Sequence, residues 1–297
     1  MLSIVRLVTV LATATSDAAS HELTAAKALI LGIVEGVTEY LPISSTGHLL
    51  VTQKLLGVGD TDATKDAADT YAITIQAGAI LAVVVLYYAR LKSMASGLVG
   101  RDENGRRVLV ALAIAFVPAA VVGVALENAI KNHLFGVGPV IAAWIVGGIV
   151  ILYAARYFRE RPAGTSRLED MTVRAAVVIG IAQVLALWPG TSRSLVTILA
   201  ALALGFSMPA ALEFSFLLGL ATLTAATAFE ALKHGSELID TYGWLNPLIG
   251  FVAAFVSAVL AVRWLVGYLN KHGLELFGWY RLVVAALALV LVATGAL

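Results

Sequence analysis

Residues 35–48, EGVTEYLPISSTGH, place two carboxylates, a run of three consecutive hydroxyl residues and a histidine between apolar segments. Glu35 and Glu39 are four residues apart, so on a helix they share one face about one turn apart. Two carboxylates this close in apolar surroundings repel each other and require a cation, a metal ion, a shared proton or a water-filled pocket. The alternative is that both are ordinary charges on a helix surface.

The hydroxyl residues Ser44, Ser45 and Thr46 follow Pro42, where a new helix can begin. One of them can cap that helix, whose N-terminal amides and positive dipole end would then face an anion such as phosphate. His48 lies three residues beyond Ser45, which is close enough in the first helical turn to exchange a proton with a serine nucleophile. A structural hydrogen-bonding role for His48 is the alternative.

A second polar motif, WPGTSRS at residues 188–194, contains Arg193, the only Lys or Arg between Arg174 and Lys233. A planar guanidinium matches two oxygens of a phosphate, and Gly190 lets the backbone approach a ligand closely. Further donors come from three hydroxyls: Thr191, Ser192 and Ser194. The alternative is a structural ion pair of Arg193 with one of three carboxylates: Glu35, Glu39 or Glu213.

Facing each other, the two motifs would form one anion-binding cavity. Phosphoryl transfer uses this set of groups, since an arginine and helix amides stabilise the phosphate oxygens while a positioned nucleophile attacks in line. We therefore expect Ser45 to attack phosphorus, with His48 as base and then acid and Arg193 holding the phosphates. Attack by a water molecule in place of Ser45 is the alternative.

The composition places these motifs in a membrane protein. The chain has 297 residues, of which 60% are hydrophobic and 13% charged, with a mean hydropathy of +0.91. A soluble domain carries about 25% charged residues. Because no cysteine is present, disulfides, zinc–thiolate sites and cysteine nucleophiles are excluded, and a net charge of +1 without a basic cluster gives no argument for nucleic-acid binding.

Hydropathy predicts an all-α polytopic protein with six long spans. These lie near residues 71–90, 107–126, 138–158, 210–232, 244–266 and 279–297. Two further apolar regions, 24–57 and 173–205, are each interrupted by a proline-containing polar motif, which predicts two re-entrant helical hairpins. The first twenty residues resemble a weak signal peptide, and we expect residues 1–22 to be an uncleaved, poorly ordered leader or a start-site extension.

Basic residues predict the orientation of the spans. Thirteen of the twenty Lys and Arg fall in three connections, which we assign to the cytoplasm. They are Arg90, Lys92, Arg101, Arg106, Arg107, Arg156, Arg159, Arg161, Arg167, Arg174, Arg263, Lys271 and Arg281. The first hairpin then enters from outside and the second from inside, so residues 24–158 and 172–297 form an inverted-topology repeat within a single membrane domain.

A short internal similarity agrees with such a repeat. LGIVEGVTEYLPISSTGH and IGIAQVLALWPGTSRSL align with one gap. This alignment places Gly32 opposite Gly180, Glu35 opposite Gln183, Pro42 opposite Pro189 and Ser45 opposite Ser192.

Both motifs resemble the signature regions of the bacterial undecaprenyl-diphosphate phosphatases, the bacitracin-resistance family. EGVTEYLPISSTGHL and ALWPGTSRS carry the resemblance, together with DMTVRAA and EFSFLLG, and it covers about residues 24–297. It implies hydrolysis of undecaprenyl diphosphate to undecaprenyl phosphate, which recycles the lipid carrier for peptidoglycan synthesis. It also implies an inner-membrane location, a site open to the outer face and a divalent cation, Mg²⁺ or Ca²⁺.

The resemblance also implies roles for individual residues. Glu35 and Glu39 match an acidic pair for metal or proton handling, Ser45 matches the nucleophile, His48 the acid/base and Arg193 the diphosphate-binding arginine. Substrate contacts are expected from Ser44, Thr46, Gly190, Thr191, Ser192 and Ser194. One departure is Leu195, where the family usually has glycine, and it puts in doubt whether Ser194 keeps the same backbone contact.

A secondary transporter or lipid flippase for a polyprenyl phosphate is the competing interpretation, because inverted repeats with broken helices are transporter architecture. Release of inorganic phosphate by the purified protein distinguishes the two functions. The expected partners are a polyprenyl diphosphate and membrane lipids, with a homodimer as an open alternative and no nucleic acid.

Overall fold

A computed structural model describes residues 23–59, 62–160 and 164–297, so the predicted leader of residues 1–22 lies outside the described residues. This part of the chain contains eleven α-helices and, apart from one isolated bridge between Ser166 and Phe206, no β-structure. The helices are α1 (Ala25–Thr38), α2 (Ser45–Leu56), α3 (Asp62–Leu86), α4 (Tyr88–Leu98), α5 (Glu103–His133), α6 (Val137–Arg159), α7 (Val173–Val184), α8 (Arg193–Ala203), α9 (Met208–Tyr242), α10 (Leu245–Leu269) and α11 (Glu275–Ala293).

Six of the described helices are long and apolar enough to cross a membrane, which confirms the predicted number of spans. The spans are Ala67–Leu86, Glu103–Ile130, Val137–Arg159, Met208–Ala228, Leu245–Leu269 and Glu275–Ala293. Their surfaces expose large apolar side chains such as Val121, Val124 and Leu260, as lipid-facing helices do. The all-helical, multi-pass character expected from the composition is therefore observed.

Both interrupted apolar regions consist of two short helices joined by a turn, as predicted. In the first region, α1 ends at Thr38 and α2 begins at Ser45. In the second, α7 ends at Val184, a single 3₁₀ turn follows, and α8 begins at Arg193. Proline in each turn removes a backbone donor and disfavours helix in the residue before it, which explains where the helices break.

The two turns end in the same backbone conformation. Ser44 precedes α2 with φ 73° and ψ 101°, and Ser192 precedes α8 with φ 74° and ψ 112°. They are the only non-glycine residues with positive φ in the described chain, a conformation that L-residues avoid and that concentrates at functional sites. The matching residue of Ser192 is therefore Ser44, and the predicted alignment of Ser45 with Ser192 is wrong by one position.

This corrected match needs no gap. Gly32 and Gly180, Glu35 and Gln183, and Ser44 and Ser192 are all separated by the same number of residues. It places Ser45 opposite Arg193, the first residues of α2 and α8. The gapped alignment matches the two prolines, whereas the positive-φ serines that precede α2 and α8 match without a gap.

The first short helix of each broken region packs closely on a span from the other half of the chain. Helix α1 packs on α10, and a methyl group at Gly32 would overlap the carbonyl of Gly250. Helix α7 packs on α5, and a methyl group at Gly180 would lie 2.6 Å from the carbonyl oxygen of Ala115. Small residues permit such close helix contacts within a membrane. Helix α3 packs on α9, and α6 packs on α11.

Two residues of the third predicted cytoplasmic connection lie within helices, and Arg263 is exposed on α10. Arg281 belongs to α11 and is fully buried, so its assignment to a loop is wrong. Its side chain points into the protein between the two turns, where backbone carbonyls accept its hydrogen bonds. The charge pattern did not distinguish it from Lys271, which lies just beyond α10, because Arg281 stands near the start of an apolar segment.

The first predicted connection contains the helix α4, whose Arg90 joins two other segments. Arg90 Nη1 lies 2.9 Å from Glu169, and Arg90 Nε donates a 2.6 Å hydrogen bond to Glu213 at the start of α9. Glu213 therefore serves this ion cluster and is not the partner of Arg193.

Candidate active site

A cavity of about 570 Å³ opens where the two turns meet. Its polar end is formed by Glu39, Ser44, Ser45, Thr46, Gln183, Gly190, Ser192 and Arg193. Its other walls are mostly apolar and come from one face of α5, from Phe116 to Val124, and from residues 222–226 of α9, although Gln76 and Glu127 also line the cavity. A larger groove of about 790 Å³ lies between α1, α10 and α11, but its lining is almost wholly apolar. The smaller cavity therefore holds the groups that can do chemistry.

Glu39 links the predicted nucleophile to the predicted anion-binding arginine. It is the C-cap residue of α1, and Ser45 Oγ donates a hydrogen bond to its Oε2. Arg193 Nη2 donates to the other oxygen, Oε1, at 3.1 Å. Of the three carboxylates considered as partners for Arg193, the structure pairs it with Glu39. The serine, the carboxylate and the arginine thus form one buried hydrogen-bonded chain across the two turns.

Arg193 is held at the start of α8 by groups from the first turn and from α9. Its Nη1 donates to the carbonyl oxygen of Ser215 at 3.0 Å, and its guanidinium carbon lies 5.8 Å from the centre of the Tyr40 ring. The guanidinium packs so closely on Gly219 that a methyl group there would overlap it. Its Nε is buried without a hydrogen-bond partner among the described residues. A donor left without an acceptor at a cavity is available to an anion.

Ser192 and Ser194 hold the second turn against the first. Ser194 Oγ donates to the carbonyl oxygen of Leu41 at 2.9 Å, and the two hydroxyls lie 3.0 Å apart. Ser192 Oγ also accepts from the amide of Leu195 at 3.3 Å, which caps α8. In this chain, Leu195 is therefore compatible with an ordered contact of Ser194, although that contact goes to the other turn.

Ser44 and Thr46 flank the predicted nucleophile at the start of α2. Ser44 occupies the N-cap position, but its hydroxyl makes no capping hydrogen bond. Thr46 is exposed and lines the cavity with Ser45. The cap predicted for this helix is therefore not made by Ser44. Because an uncapped helix N-terminus leaves amide donors open, this end of α2 can receive an anion.

Gly190 and Thr191 form the backbone of the second turn. Gly190 has φ +96°, and a methyl group there would lie 2.9 Å from the carbonyl oxygen of Val140. The carbonyl oxygens of both residues accept hydrogen bonds from Arg281. Gly190 lines the cavity, whereas Thr191 does not.

His48 is not in contact with Ser45. Its Nδ1 lies 2.7 Å from the carbonyl oxygen of Ser44, and its Nε2 lies 3.0 Å from the hydroxyl of Tyr280 on α11. The ring also stacks on Tyr280 with 5.7 Å between centroids. The short sequence separation put His48 within possible reach of Ser45, but the side chain turns toward α11. The group that Ser45 contacts is Glu39.

Glu35 on α1 and Gln183 on α7, which occupy matching positions, are both buried without hydrogen-bond partners among the described residues. Glu35 is 1% exposed and Gln183 is 2% exposed. Glu35 interacts electrostatically with Glu39 and Arg193, so it belongs to the same charge cluster. A buried carboxylate without a partner is expensive, and a bound cation or water would satisfy it.

The sequence did not indicate two side chains that brace the site. Arg281 was counted with the loop cations, and Trp144 on α6 lay within an ordinary span. Trp144 Nε1 donates to the carbonyl oxygen of Ile43 at 3.1 Å, and its ring packs against Gly47 and His48. An arginine inside the last apolar segment, near its start, was the available signal for Arg281, since charged residues at membrane depth have functional roles.

Comparison with known proteins shows which family the chain resembles. The family described as bacitracin resistance protein BacA matches residues 28–287. An undecaprenyl-diphosphatase of Sorangium cellulosum is 47% identical over 88% of this chain and 84% of its own length. Undecaprenyl-diphosphatase 2 of Rhodospirillum rubrum is 46% identical over 90% of this chain and 94% of its own, and undecaprenyl-diphosphatase 1 of Chromobacterium violaceum is 44% identical over 88% and 94%. The chain belongs to the bacitracin resistance protein BacA family.

Proposed function

We propose that this protein hydrolyses undecaprenyl diphosphate to undecaprenyl phosphate and inorganic phosphate in the bacterial inner membrane. The reaction would recycle the lipid carrier for peptidoglycan synthesis and confer resistance to bacitracin. Relatives that are 44% to 47% identical over most of their length are named undecaprenyl-diphosphatases. The observation that carries the proposal is the buried chain from Ser45 through Glu39 to Arg193 at the polar end of a cavity with apolar walls.

The cavity suits a substrate with one charged end and one apolar end. The diphosphate would lie between the N-terminus of α2 and the guanidinium of Arg193, where donors are available. The prenyl chain would leave along α5 and α9, past the small residues Ala119, Ala120 and Gly123. Small side chains on one helix face leave a channel that an isoprenoid can fill.

In the proposed reaction, Ser45 Oγ attacks the terminal phosphorus and its proton passes to Glu39, to which it already donates. The bond from that phosphorus to the bridging oxygen breaks, and undecaprenyl phosphate leaves with the bonding electron pair. Water then attacks the phosphoserine, releasing phosphate and restoring the Ser45 hydroxyl. Arg193 stabilises the charge on the phosphate oxygens in both steps. Direct attack by water on the substrate is the variant of this scheme.

His48 keeps its predicted place as a proton carrier in the later steps. Because its Nε2 is bonded to Tyr280, this role requires the ring to leave Tyr280 and turn toward the cavity. Glu39 is better placed to take the first proton, since no movement is needed. The proposal therefore divides the acid–base work between Glu39 and His48.

A divalent cation, Mg²⁺ or Ca²⁺, fits the acidic pair. Glu35 offers two buried oxygens without partners, beside the carboxylate of Glu39. Magnesium is commonly held by one or two carboxylates together with substrate phosphates. A cation there would neutralise part of the diphosphate charge, and Glu35 and Glu39 are the residues that would hold it.

We also propose that the two broken regions are re-entrant hairpins of an inverted-topology repeat. Three observations support it: the matching conformations of Ser44 and Ser192, the matching close contacts of Gly32 and Gly180, and the packing of α1 on α10 and of α7 on α5. A two-fold operation that exchanges α1 with α7 also exchanges α10 with α5. Together with the loop charges, this arrangement would open the cavity to the outer face.

Phosphate release from undecaprenyl diphosphate by the purified protein in detergent tests the function. We expect turnover by the unaltered chain and a loss of at least about a hundredfold in Ser45→Ala. Ser257→Ala on α10 is the matched control, because Ser257 only bonds carbonyls of its own helix. Full activity of Ser45→Ala would remove the covalent scheme. Absence of release together with movement of polyprenyl phosphate across liposomes would favour a flippase.

Orientation and assembly have separate tests. Because the chain has no cysteine, a cysteine introduced at the exposed Thr46 can be labelled with an impermeant reagent in intact cells. Labelling from outside is expected, and labelling only after membrane disruption would contradict an outward opening. The homodimer stays a prediction, which sedimentation in detergent checks.

A further inference from the structure

Arg281 is a buried arginine whose every N–H group has a backbone carbonyl as its partner. It lies on α11 and is 0% exposed. Nε donates to Trp144 at 3.4 Å, Nη1 to Pro42 at 3.3 Å and Thr191 at 3.2 Å, and Nη2 to Ala143 at 2.8 Å and Gly190 at 2.7 Å. Five donors thus meet five carbonyl oxygens from three separate segments.

Two of these carbonyls occupy matching positions in the two turns. Pro42 lies two residues before Ser44, and Gly190 lies two residues before Ser192. One guanidinium therefore holds the same backbone position in both turns. The next carbonyls are also held, since Thr191 accepts from Arg281 and Ile43 accepts from Trp144 Nε1.

The remaining two carbonyls attach this arrangement to α6. Ala143 and Trp144 accept from Arg281, and the guanidinium lies against Gly147, where a methyl group would overlap it. Because α6 and α11 pack along each other, the guanidinium is held by carbonyls of α6 as well as by its attachment to α11. It does not line the cavity.

We propose that Arg281 is a positioning residue that sets the two turns in register, so that Ser45 and Arg193 face one phosphate group. Ser45 and Arg193 each lie three residues after the carbonyl that Arg281 holds, at the first position of a helix. A displacement of one turn by about 1 Å relative to the other would misalign the attacking oxygen and its stabilising cation. The catalytic consequence rests on the proposed phosphatase function, whereas the geometric consequence does not.

An arginine is required because of the number and plane of its donors. Lysine keeps the charge but has three N–H groups around a single nitrogen. At most three of the five carbonyls could be satisfied, so the turns would no longer be held together with α6. Methionine retains the apolar stem and satisfies none of them.

The test combines kinetics with a distance measurement in Arg281→Lys and Arg281→Met. Arg263→Lys on α10, where the side chain is exposed, is the matched control. We expect kcat for phosphate release to fall about tenfold to a hundredfold in Arg281→Lys, with KM within about threefold. Arg281→Met should lose more, and Arg263→Lys should retain its activity.

Spin labels on introduced cysteines report the positions of the hairpins directly. One label pair is placed at Leu55 on α2 and Leu204 at the end of α8, and a reference pair at Val121 on α5 and Leu260 on α10, all of them exposed. In Arg281→Lys, we expect the distribution of distances between α2 and α8 to broaden or shift, while the reference distances remain unchanged.

Unchanged distances between α2 and α8 in folded Arg281→Lys would overturn the proposal. So would a rise in KM at constant kcat, which would indicate direct substrate binding, or failure of both variants to fold, which would assign Arg281 to the fold as a whole. If the unaltered chain released no phosphate, the distances would still decide the positioning role while the phosphatase function failed separately.

Discussion

The two hairpins share a backbone and differ in their chemistry. Both turn through a serine with positive φ, and both pack on a span of the other half through a glycine. The first carries Glu39 and Ser45, whereas the second has Leu187 and Arg193 at the matching positions. The same fold unit thus presents a carboxylate and a hydroxyl on one side and a cation on the other. Only the pair, brought together, has a complete set of groups for phosphoryl transfer.

The largest expected effect comes from the cation of the second hairpin. Arg193→Ala should lower turnover at least about a hundredfold, because it removes the phosphate-binding guanidinium and leaves the buried Glu39 without its cation. Arg193→Lys should lose about tenfold, since an ammonium keeps the charge but not the planar fork. Phosphate release at saturating substrate measures both. Equal activity of Arg193→Lys and the unaltered protein would show that charge alone suffices.

The second-largest expected effect comes from substitutions that give the matching positions Glu35 and Gln183 the same side chain. Glu35→Gln removes the carboxylate without partners, so we expect about tenfold weaker activation by Mg²⁺ or Ca²⁺. Gln183→Glu is the matched variant, which adds a carboxylate to the second hairpin. Calorimetric titration of the substrate-free protein with each cation measures binding independently of turnover. Unchanged cation affinity in Glu35→Gln would contradict a metal role for this residue.

A third comparison concerns Gly47 and Leu195, which occupy matching positions in α2 and α8. Leu195 is 2% exposed within the apolar core, so Leu195→Gly should destabilise the protein by about 3 kcal/mol or more through lost packing and backbone entropy. Thermal unfolding in detergent measures the loss, and Leu204→Gly at a more exposed position is the control. Activity of the folded fraction should stay within about tenfold. A stable Leu195→Gly protein would mean that this core repacks easily.

The smallest expected effect tests how His48 is held. Tyr280→Phe removes the hydroxyl that bonds His48 Nε2 and leaves the stacked ring in place. We expect phosphate release to change by no more than about threefold, which corresponds to one ordinary hydrogen bond. His48→Ala is the comparison, with an expected loss of at least about a hundredfold. A large loss in Tyr280→Phe would make the Tyr280–His48 contact part of the reacting arrangement.

Features that depend on neighbouring residues were predicted correctly. The six spans follow from apolar length, and the two interruptions follow from proline beside clustered hydroxyls. The resemblance to the family rested on the same motifs and was confirmed. Span ends shifted by several residues, and α4 was missed, because amphipathic sequence at a helix end does not mark its boundary.

Features that depend on distant residues were predicted only in part. The sequence allowed three carboxylates as partners for Arg193. In the structure its partner is Glu39, because the first turn meets the start of α8. Spacing along a helix predicted that His48 lies within reach of Ser45. In the structure, Tyr280 on α11 bonds to the His48 ring, which turns toward α11. The alignment of the hairpins was wrong by one residue because the prolines lie at different distances from the positive-φ serines. Pro42 lies two residues before Ser44, and Pro189 lies three residues before Ser192.

Sequence alone determined that this is a helical membrane protein with two broken segments and which residue types those segments carry, because hydropathy, proline and polar clustering act over a few neighbouring residues. Tertiary structure alone decided which of these groups touch. Arg281 illustrates the difference: in the sequence it is one more basic residue near the start of an apolar segment, and in the structure it holds both turns. Its partners come from three segments far apart in the chain, and only helix packing brings their carbonyls within reach of one guanidinium.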